Sequence, residues 1–158
     1  MTIALRDPIA TDYDAIASWV PDVKTCLHWA GPRLRFPFTA AELPRLLAVD
    51  DTESFTLTDG TPVPLGFGQL WLRDGDAVRL MRIIVAPPLR RLGLGRELCR
   101  LLIARAREVI GAPSVTLAVY RDNAGALALY RDLGFEVIES RSTQESLLMQ
   151  LALRSRLP

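Results

Sequence analysis

Apolar and polar residues alternate at positions 2–6, which predicts a short strand near the start of the chain. Thr11 stands where it can cap a helix that carries Tyr13, Ile16 and Trp19, and Pro21 ends that helix. The stretch Cys26 to Pro37, CLHWAGPRLRFP, follows neither the strand nor the helix period and reads as an irregular, aromatic segment. Thr39 with Glu42 has the spacing of a capping box, ahead of a second helix with Leu43, Leu46 and Leu47 on its apolar face. Ser54–Thr58, Leu65–Arg73 and Ala77–Val85 are strand-like, and the turn signals Asp59-Gly60 and Asp74-Gly75-Asp76 join them into an antiparallel meander. The last of the three ends in Ile83-Ile84-Val85, the unbroken apolar run of a strand buried on both faces.

Beyond that strand the period changes to helical: Leu94, Leu98, Leu101 and Leu102 share one face, and Gly111 and Pro113 stop the helix. Val115–Val119 reads as another buried strand, so strand, helix and strand form a right-handed parallel crossover. Asp122 or Asn123 caps a further helix that Gly134 ends, and Phe135–Ile138 and Leu147–Leu151 close the chain as strands. The predicted order is strand, two helices, three strands, helix, strand, helix, two strands. This is an α/β chain with a mixed sheet flanked by helices, read as a single domain over residues 1–158.

With 49% hydrophobic residues in 158, a substantial core is expected and disorder is not. No apolar run reaches membrane-spanning length, and the first residues lack the basic and apolar regions of a secretory signal, so a cytoplasmic location is expected. Cys26 and Cys99 have no metal-ligand spacing and read as free thiols; no metal is expected. The net charge of +1 gives no reason to expect nucleic acid as a partner, but its distribution is uneven. Eight arginines and one acid, Glu97, lie between Arg79 and Arg107, a local basic patch suited to a small polyanion. Lysine occurs once, at Lys24, which excludes a Walker-type phosphate loop.

The patch contains the most informative segment. Ile83 to Gly95, IIVAPPLRRLGLG, reads as a buried strand, a Pro break and an Arg/Gly loop opening a helix. No Ser, Thr, Asp or Asn caps that helix, so its first N–H groups need a partner, which a phosphate can be. Gly93 and Gly95 allow close approach, while Arg90, Arg91 and Arg96 can add charge-assisted bonds. Arg90-x-x-Gly93-x-Gly95, after a strand ending Val85-x-Pro87, resembles the acetyl-CoA signature Q/R-x-x-G-x-G/A of the GNAT N-acetyltransferase superfamily. The element order is similar too. The resemblance implies that the backbone of Ile83, Ile84 and Val85 pairs with the pantetheine arm. It also implies that amides from Arg91 through Leu92, Gly93, Leu94 and Gly95 to Arg96 hold the pyrophosphate. A bulge near the end of this strand would splay it from Val115–Val119 and make a wedge for the thioester.

Asn123 and Tyr130 are two helical turns apart, roughly 10 Å along the axis, and share a face. NAGALALYRDLGF resembles the later motif of the same superfamily, in which an Asn contacts coenzyme A and a Tyr lies near its sulfur. By that match Asn123 contacts the cofactor, Tyr130 protonates the departing thiolate, and the backbone N–H of Val85 stabilises the oxyanion.

The attacking amine needs a base. Many relatives carry a Glu near the position of Arg79, and others, among them ribosomal-protein N-terminal acetyltransferases, one at the position of Ala118; this chain has neither. The only histidine, His28, is the candidate base, since its ordinary pKa is near 6.5. Trp29, Phe36, Gln69, Trp71 and Arg79 are candidates for the acceptor site, against the alternative of core or solvated residues. The expected activity is transfer of an acetyl group from acetyl-CoA to a primary amine by direct attack, the acceptor being a small amine, an amino acid or a protein amine. A non-catalytic acyl-CoA sensor and a transferase of longer acyl chains are the alternatives. Relatives commonly dimerise, which leaves a homodimer open.

Overall fold

The computed structural model describes residues 2–153. The chain runs β1 (Ala4–Arg6), α1 (Ala10–Trp19), α2 (Val23–Ala30), α3 (Leu43–Leu47), β2 (Thr52–Thr58), β3 (Gly66–Asp74) and β4 (Ala77–Val85). It continues through α4 (Leu94–Arg105), β5 (Ser114–Tyr120), α5 (Ala124–Asp132), β6 (Glu136–Val137) and β7 (Ser146–Ala152). The seven strands form one mixed sheet in the order β1-β2-β3-β4-β5-β7-β6. The expected meander β2–β3–β4 is antiparallel, and β4 and β5 pair in parallel across the α4 crossover.

Two apolar layers flank the sheet. On one face Leu98, Cys99 and Leu102 of α4 and Tyr130 of α5 pack on Leu70, Val78, Leu80, Val115 and Leu117. On the other, Ile16 and Trp19 of α1, Cys26 and Trp29 of α2 and Leu43 and Leu47 of α3 cover Phe67 and Ile84. α4 lies close to β3 because β3 presents glycine there. A Cβ on Gly68 would sit 2.8 Å from the Leu102 side chain, and one on Gly66 would sit 2.9 Å from the Ile84 carbonyl oxygen.

The start of the chain is tied down by Asp12, which is fully buried. Its carboxylate accepts two bonds from Arg6, at 2.7 and 2.9 Å, one from the Ile9 N–H at 2.9 Å and one from the Thr56 hydroxyl at 2.9 Å. Burial alone would raise its pKa, but these donors outweigh it and hold the group below the usual carboxylate value. α1 therefore begins at Ala10 after Ile9, and Thr11 lies inside it rather than capping it. The Thr39/Glu42 box forms as expected: the Thr39 N–H donates to Glu42 at 3.0 Å, and the Glu42 N–H donates to Thr39 at 3.3 Å.

The main departure is α2. Residues 23–30, of which 26–30 are expected to be irregular, form a helix. Asp22 caps it by accepting the Thr25 N–H at 2.8 Å, and Gly31 ends it at φ 72°. His28 is thus a helical residue.

Gly66→Ala forces a methyl against a backbone carbonyl, which cannot swing aside as a side chain can. The variant should lose about 1–3 kcal/mol of stability, read as a lower urea midpoint at unchanged m-value.

Candidate active site

Between Phe67 and Gln69 of β3, the facing stretch of β4 contains one residue more. Phe67 pairs with Ile84 and Gln69 with Met81, so Gly68 opposes both Arg82 and Ile83. The extra residue, Arg82, adopts φ 51°, a left-handed conformation uncommon outside glycine. Two contacts hold it: the Trp29 indole N–H donates to the Arg82 carbonyl at 2.8 Å, and the Arg82 Nη1 donates to the Gln69 Oε1 at 2.7 Å. Gln69 is itself fixed, its Nε2 donating to the Leu47 carbonyl at 2.8 Å and the Ser54 hydroxyl at 2.9 Å. This is the bulge expected near the strand's end. Beyond it β4 and β5 diverge, and their pairing is confined to Val78 with Val115 and Arg79 with Thr116.

The divergence opens a groove of about 560 Å³ between Ile83, Ile84 and Val85 on one side and Asn123, Leu129 and Tyr130 on the other. The Ala86 N–H donates to the Leu65 carbonyl at 2.9 Å. The alternation of an antiparallel ladder then turns the N–H and C=O of Val85 away from β3, toward the diverging side. Arg90 donates through Nε to that Val85 carbonyl at 3.2 Å. At the groove's end α4 begins after Gly93, which is left-handed at φ 83° and offers no side-chain cap. A Cβ at Gly95 would make only ordinary contacts, 3.5 Å from Leu129 and 3.9 Å from Val85. Arg90, Arg91 and Gly95 line the groove with the backbone start of α4 beside them. An anion placed there would meet unpaired helical N–H groups and guanidinium charge, so these residues fit the diphosphate of a coenzyme A.

The other loop residues differ in position. Leu92 is exposed and forms the turn with Gly93, Leu94 opens α4, and none of the three lines the groove. Arg96 ion-pairs through one nitrogen with Asp132 of α5, and both side chains are exposed. Asn123 occupies the N-cap position of α5 but makes no side-chain cap bond, which leaves its amide available to the groove it lines. Tyr130 is 9% exposed, edge-on to Phe135, and burial raises its hydroxyl well above the ordinary value near 10.

A second cavity, about 670 Å³, lies beyond the bulge and shares Trp29 with the groove. Of the acceptor candidates, Trp29, Trp71 and Arg79 line it. Phe36 and Gln69 do not: Phe36 packs at right angles on Phe38, and Gln69 is fully buried behind Arg82 as its support. His28 does not line this cavity. It lines the first groove, and its Nε2 lies 3.0 Å from Asp122 Oδ1 in the loop between β5 and α5. Sequence reasoning missed Lys24 and Thr25, which line the groove because α2 is a helix, and Arg82 itself. The Asp22–Thr25 cap was the available signal for the former.

No helix among the described residues is long and apolar enough to cross a membrane, and no group of three or more His, Cys, Asp or Glu among them could hold a metal. The model of the Acetyltransferase (GNAT) family matches residues 23–135, and the chain belongs to that family. It is by class an acyl-CoA-dependent N-acyltransferase. Its fold is similar to that of the spermidine N-acetyltransferase from Vibrio cholerae in complex with CoA and spermine, at 17% identity over 95% of each chain and a TM-score of 0.79. It is likewise similar to the PaiA N-acetyltransferase from Thermoplasma acidophilum in complex with coenzyme A (17% identity, 97% of this chain and 100% of that one, TM-score 0.72). A third similar fold is the ribosomal-protein-S18-alanine N-acetyltransferase from Escherichia coli (24% identity, 98% and 97%, TM-score 0.65).

Gly93→Asp puts a carboxylate where the anion belongs. A Cβ at Gly93 meets nothing within 4 Å, so the effect is charge together with the left-handed strain, not crowding. Calorimetry should show CoA affinity reduced by at least about tenfold, or 1.4 kcal/mol, with an unchanged circular dichroism spectrum.

Proposed function

We propose that this protein transfers an acetyl group from acetyl-CoA to a primary amine by direct attack, within one domain and in a reducing compartment such as the cytoplasm. The observation that carries this reading is the continuity of the groove, which runs from the uncapped start of α4 along Ile83–Val85 to the buried hydroxyl of Tyr130. The thioester supplies the electrophilic acyl carbon. Ile83 and Val85 offer backbone groups to the pantetheine arm, those of Ile84 being turned to β3 by the same alternation, and Arg90, Arg91 and the amides from Leu92 to Arg96 surround its diphosphate. Asn123 contacts the arm from the opposite wall.

The Val85 N–H donates to the carbonyl oxygen as negative charge builds there, in a groove where low polarity strengthens the bond. Tyr130 gives its proton to the departing sulfur. His28 is the base: an Nε2–H tautomer donating to Asp122 leaves the lone pair on Nδ1 to take the amine's proton. An acyl-enzyme has no support from the two cysteines. Both are buried, and burial pushes the Cys99 thiol up to about 12 and raises Cys26, so neither is a thiolate near neutral pH.

Incubation with acetyl-CoA and a panel of primary amines, followed by mass spectrometry, should give an N-acetyl product from at least one amine. Binding of acetyl-CoA with no transfer to any amine would favour the sensor instead. Tyr130→Phe should lower kcat by roughly 10²-fold with CoA affinity nearly unchanged, read by steady-state kinetics beside calorimetry.

A further inference from the structure

The second cavity holds more positive charge than its surroundings neutralise. Arg33, Arg79, Arg82 and Arg141 line it, against one carboxylate, Asp74. Asp74 is already committed. It accepts from Thr116, from Arg141 at 3.0 Å and from Arg79 at 3.2 and 3.3 Å. Burial would raise its pKa, but the Thr116 and Arg141 bonds and the charge of Arg79 overcome this and keep it ionised. It therefore compensates part of the Arg79 and Arg141 charge and none of Arg82's.

Arg82 is the unusual member. Its one hydrogen-bond acceptor is the neutral Gln69 amide, its Nε is buried without a partner, and no carboxylate among the described residues ion-pairs with it. A half-buried guanidinium that meets no anion is costly to desolvate unless a ligand brings one, and its planar fork suits a carboxylate. Arg82 is also adjacent in the chain to Ile83, which lines the cofactor groove. An anion at Arg82 would thus lie beside the place where the acyl group is read to sit. Around it the cavity is apolar and aromatic, with Trp29, Trp71, Leu34, Leu46 and Met81.

We propose that the acceptor is an amine that itself carries a carboxylate and an apolar body, of the hydrophobic α-amino acid type, with Arg82 as the carboxylate-binding residue. In an α-amino acid the amine is two bonds from the carboxyl carbon, and Trp29 lines both the groove and the cavity that holds Arg82. A polycation such as spermine would face the surplus arginine charge. The proposal rests on the reading of the groove as the acyl-CoA site, and it specifies that reading's acceptor.

The test is a nuclear magnetic resonance titration of the CoA-saturated protein with leucine, methionine and phenylalanine, each beside its amide, and with spermine. The Trp29 indole N–H is the reporter, because it donates to the Arg82 carbonyl. Bound CoA carries no acyl group, so binding is read without turnover. Expected is binding of at least one acid at least about tenfold tighter than its amide, with spermine weaker still. Arg82→Gln should erase that preference while CoA affinity by calorimetry is kept, and Arg82→Lys should restore it in part. Equal binding of acid and amide, tighter binding of spermine, or no binding of any acid would overturn the proposal, and the comparison on the unaltered protein stands even if the variants misfold. The amine panel with acetyl-CoA separates the two readings. Acid-selective binding without transfer would count against acetyl transfer and leave the carboxylate site standing. Transfer to amines without a carboxylate at equal kcat/KM would do the reverse.

Discussion

The extra residue in β4 is the constraint on which the rest of the site depends. Val78 and Leu80 face the α4 layer, and in an unbroken strand Ile84 would join them. With Arg82 inserted, Ile83 takes that face and Ile84 turns to the layer formed by α1, α2 and α3. The same insertion ends the pairing with β5, frees the edge of Val85 and divides the space into a cofactor groove and a second cavity. Left-handed backbone at an arginine costs of order 1 kcal/mol. The structure offsets it with the Trp29 indole on the carbonyl and Gln69 on the side chain, both supplied by buried residues of neighbouring elements.

A wedge needs a closed end as well as an open one. Asp74 of β3 reaches Thr116 of β5 across β4, and Arg79 of β4 and Arg141 join it. This cluster spans three strands where β4 and β5 still pair. The sheet is fastened by charge at one end and opened by a bulge at the other, so the splay is a fixed angle rather than a loose edge. Arg79 and Ala118 both line the second cavity. With Arg at one and Ala at the other, neither supplies the negative charge that a cationic acceptor would need there.

The fold was legible because it depends on local signals. The meander, the long helix after the glycines and the parallel crossover each follow from period and turn residues, and all are present. That two segments would line one groove was legible because each is short and local, Ile83–Gly95 and Asn123–Tyr130. What was not legible depends on distance. Nothing in MRIIV marks Arg82 as an inserted residue, because a charged residue before an apolar run reads as an ordinary outward position. Gln69 reads as solvated until α3 is laid over it and the Leu47 carbonyl meets its amide. Arg96 reads as unpaired until α5 brings Asp132 to it. α2 was hidden by its shortness: with eight residues it buries only Cys26 and Trp29, too few to establish a period against the Gly31-Pro32 that follows.

In the proposed reaction, the burial of Tyr130 acts on the donor and on the leaving group together. Burial makes its hydroxyl a weaker acid, which by itself would slow proton donation. A thiolate expelled beside it would be desolvated by the same surroundings, and its affinity for a proton would rise for the same reason. The two shifts move together, so the proton transfer keeps its balance while the alternative, release of a bare thiolate, becomes steadily worse. Removing water thus penalises the uncatalysed exit more than it penalises the donor. The phenol is suited to that position because it stays protonated at any ordinary pH, so it can donate without first acquiring a proton.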